Sequence, residues 1–90
     1  MKKRYIIRVQ GRVQGVGYRF SCMETAYKLG IHGYVKNLQD RSVYIEAEGE
    51  ENDLQKFLRW CAKGPLWARV TDIRHDEAEP EGYKSFDIRR

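Results

Sequence analysis

The order in which two hydrophobic patterns alternate constrains the fold of this chain more than any other feature. Residues 5–10 are apolar on one face, as is typical of a half-buried strand. Residues 18–29 repeat apolar side chains at three- and four-residue spacing, which indicates a helix. A second helix is predicted to begin at 49–52 and to stop at Gly64-Pro65. Further strands are predicted at residues 32–38, 42–48, 69–76 and 86–88.

This order restricts the topology, because crossovers between parallel strands are right-handed. It predicts two interleaved split βαβ units, in which an antiparallel sheet carries both helices on one face and ends with a short C-terminal strand. This is the α+β, ferredoxin-like βαββαβ sandwich, and 90 residues form one such domain, residues 1–90. The first two strands point the same way, since each is antiparallel to the strand between them. We therefore expect the loop after the first strand to lie beside Asn37, near the end of the second.

Both helices carry an apolar stripe that we expect to face the sheet. In the first helix the stripe contains Phe20, Met23, Ala26 and Tyr27, widened by Cys22 and Leu29; in the second it contains Leu54, Phe57, Leu58 and Cys61. The only two cysteines lie within these stripes and form no C-x-x-C motif. They are therefore predicted to be buried free thiols rather than a disulfide.

Composition and charge exclude several classes of protein. The chain is 41% hydrophobic and 33% charged, as globular domains are, and no apolar run approaches the length of a signal peptide core or a membrane span. The net charge of +4 is spread along the chain without a basic block, which suits a small anion as well as a nucleic acid. No cluster of His, Cys, Asp or Glu has metal-ligand spacing. We expect a cytoplasmic domain without a membrane partner, metal or cofactor.

Residues 11–17, the glycine loop, read Gly11-Arg12-Val13-Gln14-Gly15-Val16-Gly17 and join the first strand to the first helix. Glycines allow several backbone N–H groups to turn toward one point, and a helix start adds unpaired N–H groups and a positive dipole end. Arg19 follows in the first helical turn, where its guanidinium matches two phosphate oxygens. No lysine of a P-loop follows, and Phe20 replaces the third glycine of a dinucleotide motif. The pattern favours an anion site of another kind; the alternative is a flexible loop with a surface arginine.

Asn37 ends the segment Gly33-Tyr34-Val35-Lys36-Asn37, just before the predicted tight hairpin at residues 39–41. An asparagine near a hairpin is most often a turn residue. The topology adds a second interpretation, because it places Asn37 beside the glycine loop. A carboxamide facing an anion site can hold a water through its carbonyl oxygen or donate to an oxyanion.

Two long motifs resemble those of a known family. The segment Gly11–Arg19 resembles the first signature of the acylphosphatase family, and Gly33–Asn37, continuing to Val43 and Gly49, resembles the second. The resemblance extends over most of the chain, to the closing Phe86-Asp87-Ile88-Arg89. It implies metal-free hydrolysis of the carboxyl–phosphate bond of acyl phosphates, with inorganic phosphate as product and inhibitor.

The resemblance also implies a role for individual residues. Arg19 matches the family's phosphate-binding arginine, and Asn37 matches the asparagine that orients the attacking water. The backbone around the phosphate corresponds to Gln14, Gly15, Val16, Gly17, Tyr18 and Arg19. One departure is Arg41, which stands where the second signature usually has glycine; an arginine held at positive φ there costs ~1 kcal/mol.

Two other functions fit parts of the pattern. RNA-recognition domains share this strand–helix order, but the open face of the third strand would carry Glu46 and Glu48, which repel a phosphate backbone. The chain could also be a relative or fragment of a larger maturation enzyme that begins with such a domain, which a 90-residue chain with its own Met1 disfavours. We expect a monomer without a nucleic-acid partner.

Overall fold

Five strands and two helices follow one another in the predicted order. The computed structural model describes all 90 residues, Met1–Arg90. The elements are β1 (Lys2–Arg12), α1 (Tyr18–Leu29), β2 (His32–Asn37), β3 (Val43–Glu50), α2 (Glu51–Lys63), β4 (Arg69–Ala78) and β5 (Phe86–Arg89). Both helices cover one face of the sheet, where residues of alternating strand positions form the core. The ferredoxin-like βαββαβ sandwich is confirmed.

The sheet is mixed rather than purely antiparallel, which corrects the prediction. Its strand order is β4-β1-β3-β2-β5; the first four strands are antiparallel neighbours, whereas β5 pairs in parallel with β2. The reason is the path of residues 79–85, which cross from one edge of the sheet to the other. At that edge β5 runs parallel to β2. The closing strand therefore ends where β1 and β2 end.

The predicted stripe of the first helix is confirmed in part: Cys22 and Ala26 are buried and Met23 and Leu29 pack against the core, but Phe20 and Tyr27 do not. Tyr18, Cys22 and Ala26 are buried, whereas Phe20 and Tyr27 are 56% and 60% exposed. Aromatic residues occur on both faces of α1, so spacing alone did not decide which would turn inward. Tyr18 lies four residues before Cys22 on the same face of the helix, and its buried hydroxyl donates a 2.7 Å hydrogen bond to the carbonyl oxygen of Cys61 on α2.

The predicted stripe of α2 is confirmed for Leu54, Phe57 and Cys61, which are fully buried, while Leu58 is half-buried. Both cysteines are free and buried, as predicted. Burial, together with contact with Cys61, raises the pKa of the Cys22 thiol. A thiol in such surroundings is chemically inert.

The first strand is longer than residues 5–10 at both ends. Lys2 and Lys3 pair with Glu50 and Gly49, so β3 extends to Glu50 and α2 begins at Glu51 rather than at Gly49. At the other end Gly11 belongs to the strand and not to a loop, since it pairs with β4. A Cβ on Gly11 would lie 2.2 Å from the carbonyl oxygen of Arg69, so only glycine permits this approach.

The β2–β3 hairpin keeps a left-handed residue although it lacks the usual glycine. Arg41 has φ 75° and is the only non-glycine residue with positive φ. Its N–H donates to the carbonyl oxygen of Leu38 at 3.1 Å, and the Asp40 carboxylate accepts from the backbone N–H of Ser42 at 3.0 Å. These bonds hold the tight turn and offset the cost of the arginine conformation.

The open face of the sheet carries a buried carboxylate, Glu46, whose side chain is 11% exposed. It accepts hydrogen bonds from Arg4 Nη1 at 2.7 Å, from the hydroxyls of Tyr83 and Tyr44 at 2.6 Å each, and from the Tyr34 hydroxyl at 3.1 Å. Burial opposes ionisation, but these bonds outweigh it and lower the pKa of Glu46. The expectation that the Glu46 carboxylate is exposed on the open face is therefore wrong.

Glu48 is likewise covered. Its carboxylate accepts from the backbone N–H groups of Glu81, Gly82 and Tyr83 at 2.8–3.4 Å. These bonds fasten residues 79–85 to the open face, so both carboxylates hold the connection that delivers β5 to the far edge.

Replacing Glu46 with glutamine is expected to lower the free energy of unfolding at pH 7 by about 2–3 kcal/mol. A neutral amide leaves the Arg4 guanidinium without its counter-charge and cannot accept all four hydrogen bonds. Because the folded pKa of Glu46 is lowered, its contribution is present above about pH 4.3 and is lost as the pH falls through the folded value. Urea denaturation of both proteins across this range should show the difference narrowing in acid.

The matched control is Glu50→Gln, which removes the ion pair between Glu50 and the N-terminal amine of Met1. The side chains of Met1 and Glu50 are 91% and 54% exposed. Exposed pairs contribute little, so this variant should unfold close to the parent. Equal losses in the two variants would show that the Glu46 network does not stabilise the fold.

Candidate active site

The glycine loop ends in a helix start whose N–H groups have no side-chain partner. Gly15 and Gly17 have φ 74° and 78°, and Gly17 is the N-cap of α1. A Cβ at either position would meet no atom within 4 Å, so glycine is required by backbone conformation and not by space. No side chain caps the helix and no acidic residue occurs in its first turn. The first-turn N–H groups and the positive dipole end are thus free for an external anion.

Arg19 stands in this first turn, half-buried, at the edge of the same opening. It forms none of the six ion pairs in the structure. A guanidinium beside unpaired backbone donors, with no carboxylate of its own, creates a strongly anion-attracting point.

Asn37 is the last residue of β2. Its carbonyl oxygen, Oδ1, is buried and receives no hydrogen bond from the protein; it is the only buried side-chain N or O atom in this condition. Leaving such an atom without a partner costs about 1–3 kcal/mol. The hydrogen-bonding capacity of this oxygen is therefore unused within the chain, on a residue that also lines the opening beside Arg19.

The topology brings these parts together as expected. One cavity of about 200 Å³ is lined by Val13, Gly15, Gly17, Tyr18, Arg19, Phe20, Asn37 and Ile88. Arg19 and Asn37 thus share one opening although eighteen positions separate them, because β1 and β2 both run antiparallel to β3 and end at the same side.

Two residues of the predicted phosphate loop do not line the cavity. Gln14 directs its side-chain amide to the carbonyl oxygens of Leu38 and Ser42, each at 2.9 Å. Val16 is half-buried and packs against the core. Gln14 therefore ties the glycine loop to the β2–β3 hairpin and fixes the distance between the loop and Asn37.

Sequence reasoning missed three apolar lining residues, Val13, Phe20 and Ile88. Val13 lies within the glycine loop and was assigned no side-chain role. Phe20 carried a signal, since it follows Arg19 directly, but it was assigned to the core. Ile88 gave no signal in the sequence, because only the parallel pairing of β5 with β2 brings it to this end of the sheet.

Outside this cavity the structure offers few reactive groups. No group of three or more His, Cys, Asp or Glu side chains is placed to hold a metal ion. Neither helix has the length and apolar character needed to cross a membrane. On the open face the Arg89 guanidinium lies 3.8 Å from the ring centre of Tyr34, and Lys36 Nζ lies 5.5 Å from that of Tyr44. The chain's own cations thus occupy ring faces on which nucleic-acid bases would stack.

Comparison with known proteins agrees with this geometry. A family model described as Acylphosphatase matches residues 5–88. The acylphosphatase of Thermotoga maritima is 52% identical over 83 residues, 92% of each chain. The crystal structure of the acylphosphatase from Bacillus subtilis aligns with a TM-score of 0.96 and 43% identity over the whole of both chains. T. kodakarensis HypF aligns with 98% of this chain at a TM-score of 0.85 and 38% identity, over only 12% of its own length. The chain therefore belongs to the acylphosphatase family of enzymes.

Proposed function

We propose that this chain hydrolyses acyl phosphates to a carboxylate and inorganic phosphate, with Arg19 and the loop backbone binding the phosphate and Asn37 positioning the attacking water. The observation that carries the proposal is that Asn37, whose buried side-chain oxygen has no partner in the chain, lines the same cavity as the unpaired Arg19. One group is complementary to a phosphate and the other to a water beside it.

The phosphoryl group would lie at the start of α1. Backbone N–H groups of the segment Gln14–Arg19 and the helix dipole stabilise its negative charge, and the Arg19 fork binds two of its oxygens. These donors are held before substrate arrives, because Gly17 caps the helix and Gln14 fastens the loop to the hairpin. Such preorganised donors suit a transition state whose charge is spread over the phosphoryl oxygens.

The water would donate a hydrogen bond to Asn37 Oδ1 and attack phosphorus in line with the leaving group. The new P–O bond forms as the bond between phosphorus and the acyl oxygen breaks. The carboxylate leaves with the bonding electron pair, and the water proton passes to phosphate or to solvent. No carboxylate or histidine lines the cavity to act as a base. The good leaving group makes a strong base unnecessary.

Several further properties belong to the same proposal. We propose that the reaction requires neither a metal ion nor a cofactor, because Arg19 and the loop N–H groups can stabilise the charge on the phosphoryl oxygens. We propose a monomer in the cytoplasm, with acyl phosphate as substrate and inorganic phosphate as inhibitor, and without nucleic-acid or membrane partners. The covered tyrosine rings support the exclusion of nucleic acid.

Release of inorganic phosphate from acetyl phosphate is the direct test. We expect turnover well above spontaneous hydrolysis, undiminished by EDTA, and competitive inhibition by inorganic phosphate, which fits the same donors. The control is the same assay without protein. A reversible loss of activity on chelation, restored by a divalent metal, would show that the mechanism is wrong.

A further inference from the structure

Two large apolar side chains remain exposed beside the candidate site. Phe20 is 56% and Ile88 39% exposed, and both line the cavity that contains Arg19 and Asn37. A single exposed apolar residue needs no explanation, but two that converge on one functional cavity indicate a surface for a ligand. Together with the buried Val13 they form the apolar wall of the cavity.

The fold holds this wall in place from two directions. Phe20 follows Arg19 in the first turn of α1 and lies away from the buried side of that helix. Ile88 shares a face of β5 with the fully buried Phe86, because residues two apart in a strand point the same way. Since α1 packs against β5, both side chains lie at the opening beside the start of the helix.

The rest of the lining restricts what could bind there. Arg19 is the only charged residue among the eight. Once a phosphate occupies Arg19 and the loop amides, no second cation remains for a carboxylate or another phosphate on the acyl group. Asn37 is assigned to the water, so the apolar side chains of the lining remain for the acyl group.

We propose that the apolar wall binds the acyl group of the substrate and that Phe20 is a specificity-determining residue favouring neutral, apolar acyl groups. This inference rests on the proposed function. The aromatic ring of a benzoyl group buries roughly 50 Å² more apolar surface than an acetyl methyl, which corresponds to about a tenfold gain in affinity. The contact exists in both the bound substrate and the transition state, so it lowers KM more than it changes kcat.

Steady-state hydrolysis of benzoyl phosphate and acetyl phosphate by the parent and by Phe20→Ala tests this. The parent should prefer benzoyl phosphate, and Phe20→Ala should lose about tenfold in the ratio of the two kcat/KM values, mainly through a higher KM for benzoyl phosphate. Phe20→Leu, which keeps an apolar side chain, should retain most of the preference. Inhibition by inorganic phosphate, which has no acyl group, shows whether the phosphate site of each variant is intact.

Tyr27→Ala is the matched control, since Tyr27 is an equally exposed aromatic residue on the same helix but does not line the cavity. Its benzoyl-to-acetyl ratio should equal that of the parent. A ratio unchanged in Phe20→Ala, or lost equally in Tyr27→Ala, would overturn the assignment of Phe20. A parent that hydrolyses neither substrate would instead overturn the proposed function.

Discussion

Arg19→Ala is expected to lower kcat/KM for acetyl phosphate by about 10²–10³-fold or more, while the protein remains folded. The substitution removes the only charged side chain from the cavity, so the phosphoryl oxygens keep the backbone N–H groups alone. Arg19 forms no ion pair, so its loss removes none of the ion pairs that stabilise the fold. Kinetics with acetyl phosphate, together with the urea midpoint of each protein, measure the two effects separately.

Lysine should not rescue this loss. Arg19→Lys keeps the charge but replaces a planar fork by a point charge, which cannot bind two phosphate oxygens in fixed geometry. Arg59→Ala, at an exposed position on α2 outside the cavity, is the control for a general loss of positive charge and should retain full activity. Near-normal turnover of Arg19→Lys would contradict the phosphate-binding role.

Asn37→Ala should lower kcat by at least about 10²-fold and change the affinity for inorganic phosphate by less than about tenfold. The alanine removes the one acceptor available to hold the water, while Arg19 and the loop donors remain. Asn37→Asp should be equally damaging, because a carboxylate would accept from water but repel the phosphate. The measurements are kcat for acetyl phosphate and the inhibition constant of inorganic phosphate.

Asn52→Ala, at an exposed position on α2, is the corresponding asparagine control and should behave as the parent does. The pattern of losses in Asn37→Ala decides between two roles. If phosphate affinity and turnover fall together, Asn37 binds the anion itself, and its role in positioning water has to be withdrawn.

Local patterns were enough to predict the order of the elements and the placement of Arg19 and Asn37 at the same end of the sheet. Periods of two and of three to four residues identified the strands and helices, and strand direction alone placed Asn37 beside the glycine loop. The aromatic residue that α1 buries could not be predicted in this way, because Tyr18 and Phe20 are both aromatic and point to different sides. In the fold the face with Tyr18 packs into the core, where a carbonyl on α2 accepts a hydrogen bond from its hydroxyl.

Features to which distant segments of the chain contribute could not be predicted from the sequence. The partners of Glu46 come from β1, β2, β3 and the connection after β4, so no local pattern reveals that the carboxylate is covered. Ile88 reaches the cavity for a similar reason. Its position depends on the pairing of β5 with β2, two strands that are about fifty residues apart in the sequence. In both cases the missing information is long-range pairing rather than residue character.

The pairing of β1 also determines when a growing chain can become active. Both neighbours of β1 in the sheet come later in the chain, and the last of them, β4, ends at Ala78. The opening is completed by Ile88 on the strand that follows. A nascent chain on the ribosome therefore has the glycine loop and Arg19 long before it has a sheet to hold them. Such non-local pairing makes folding slow compared with a helical protein of the same size, and catalysis has to await synthesis of almost the entire domain.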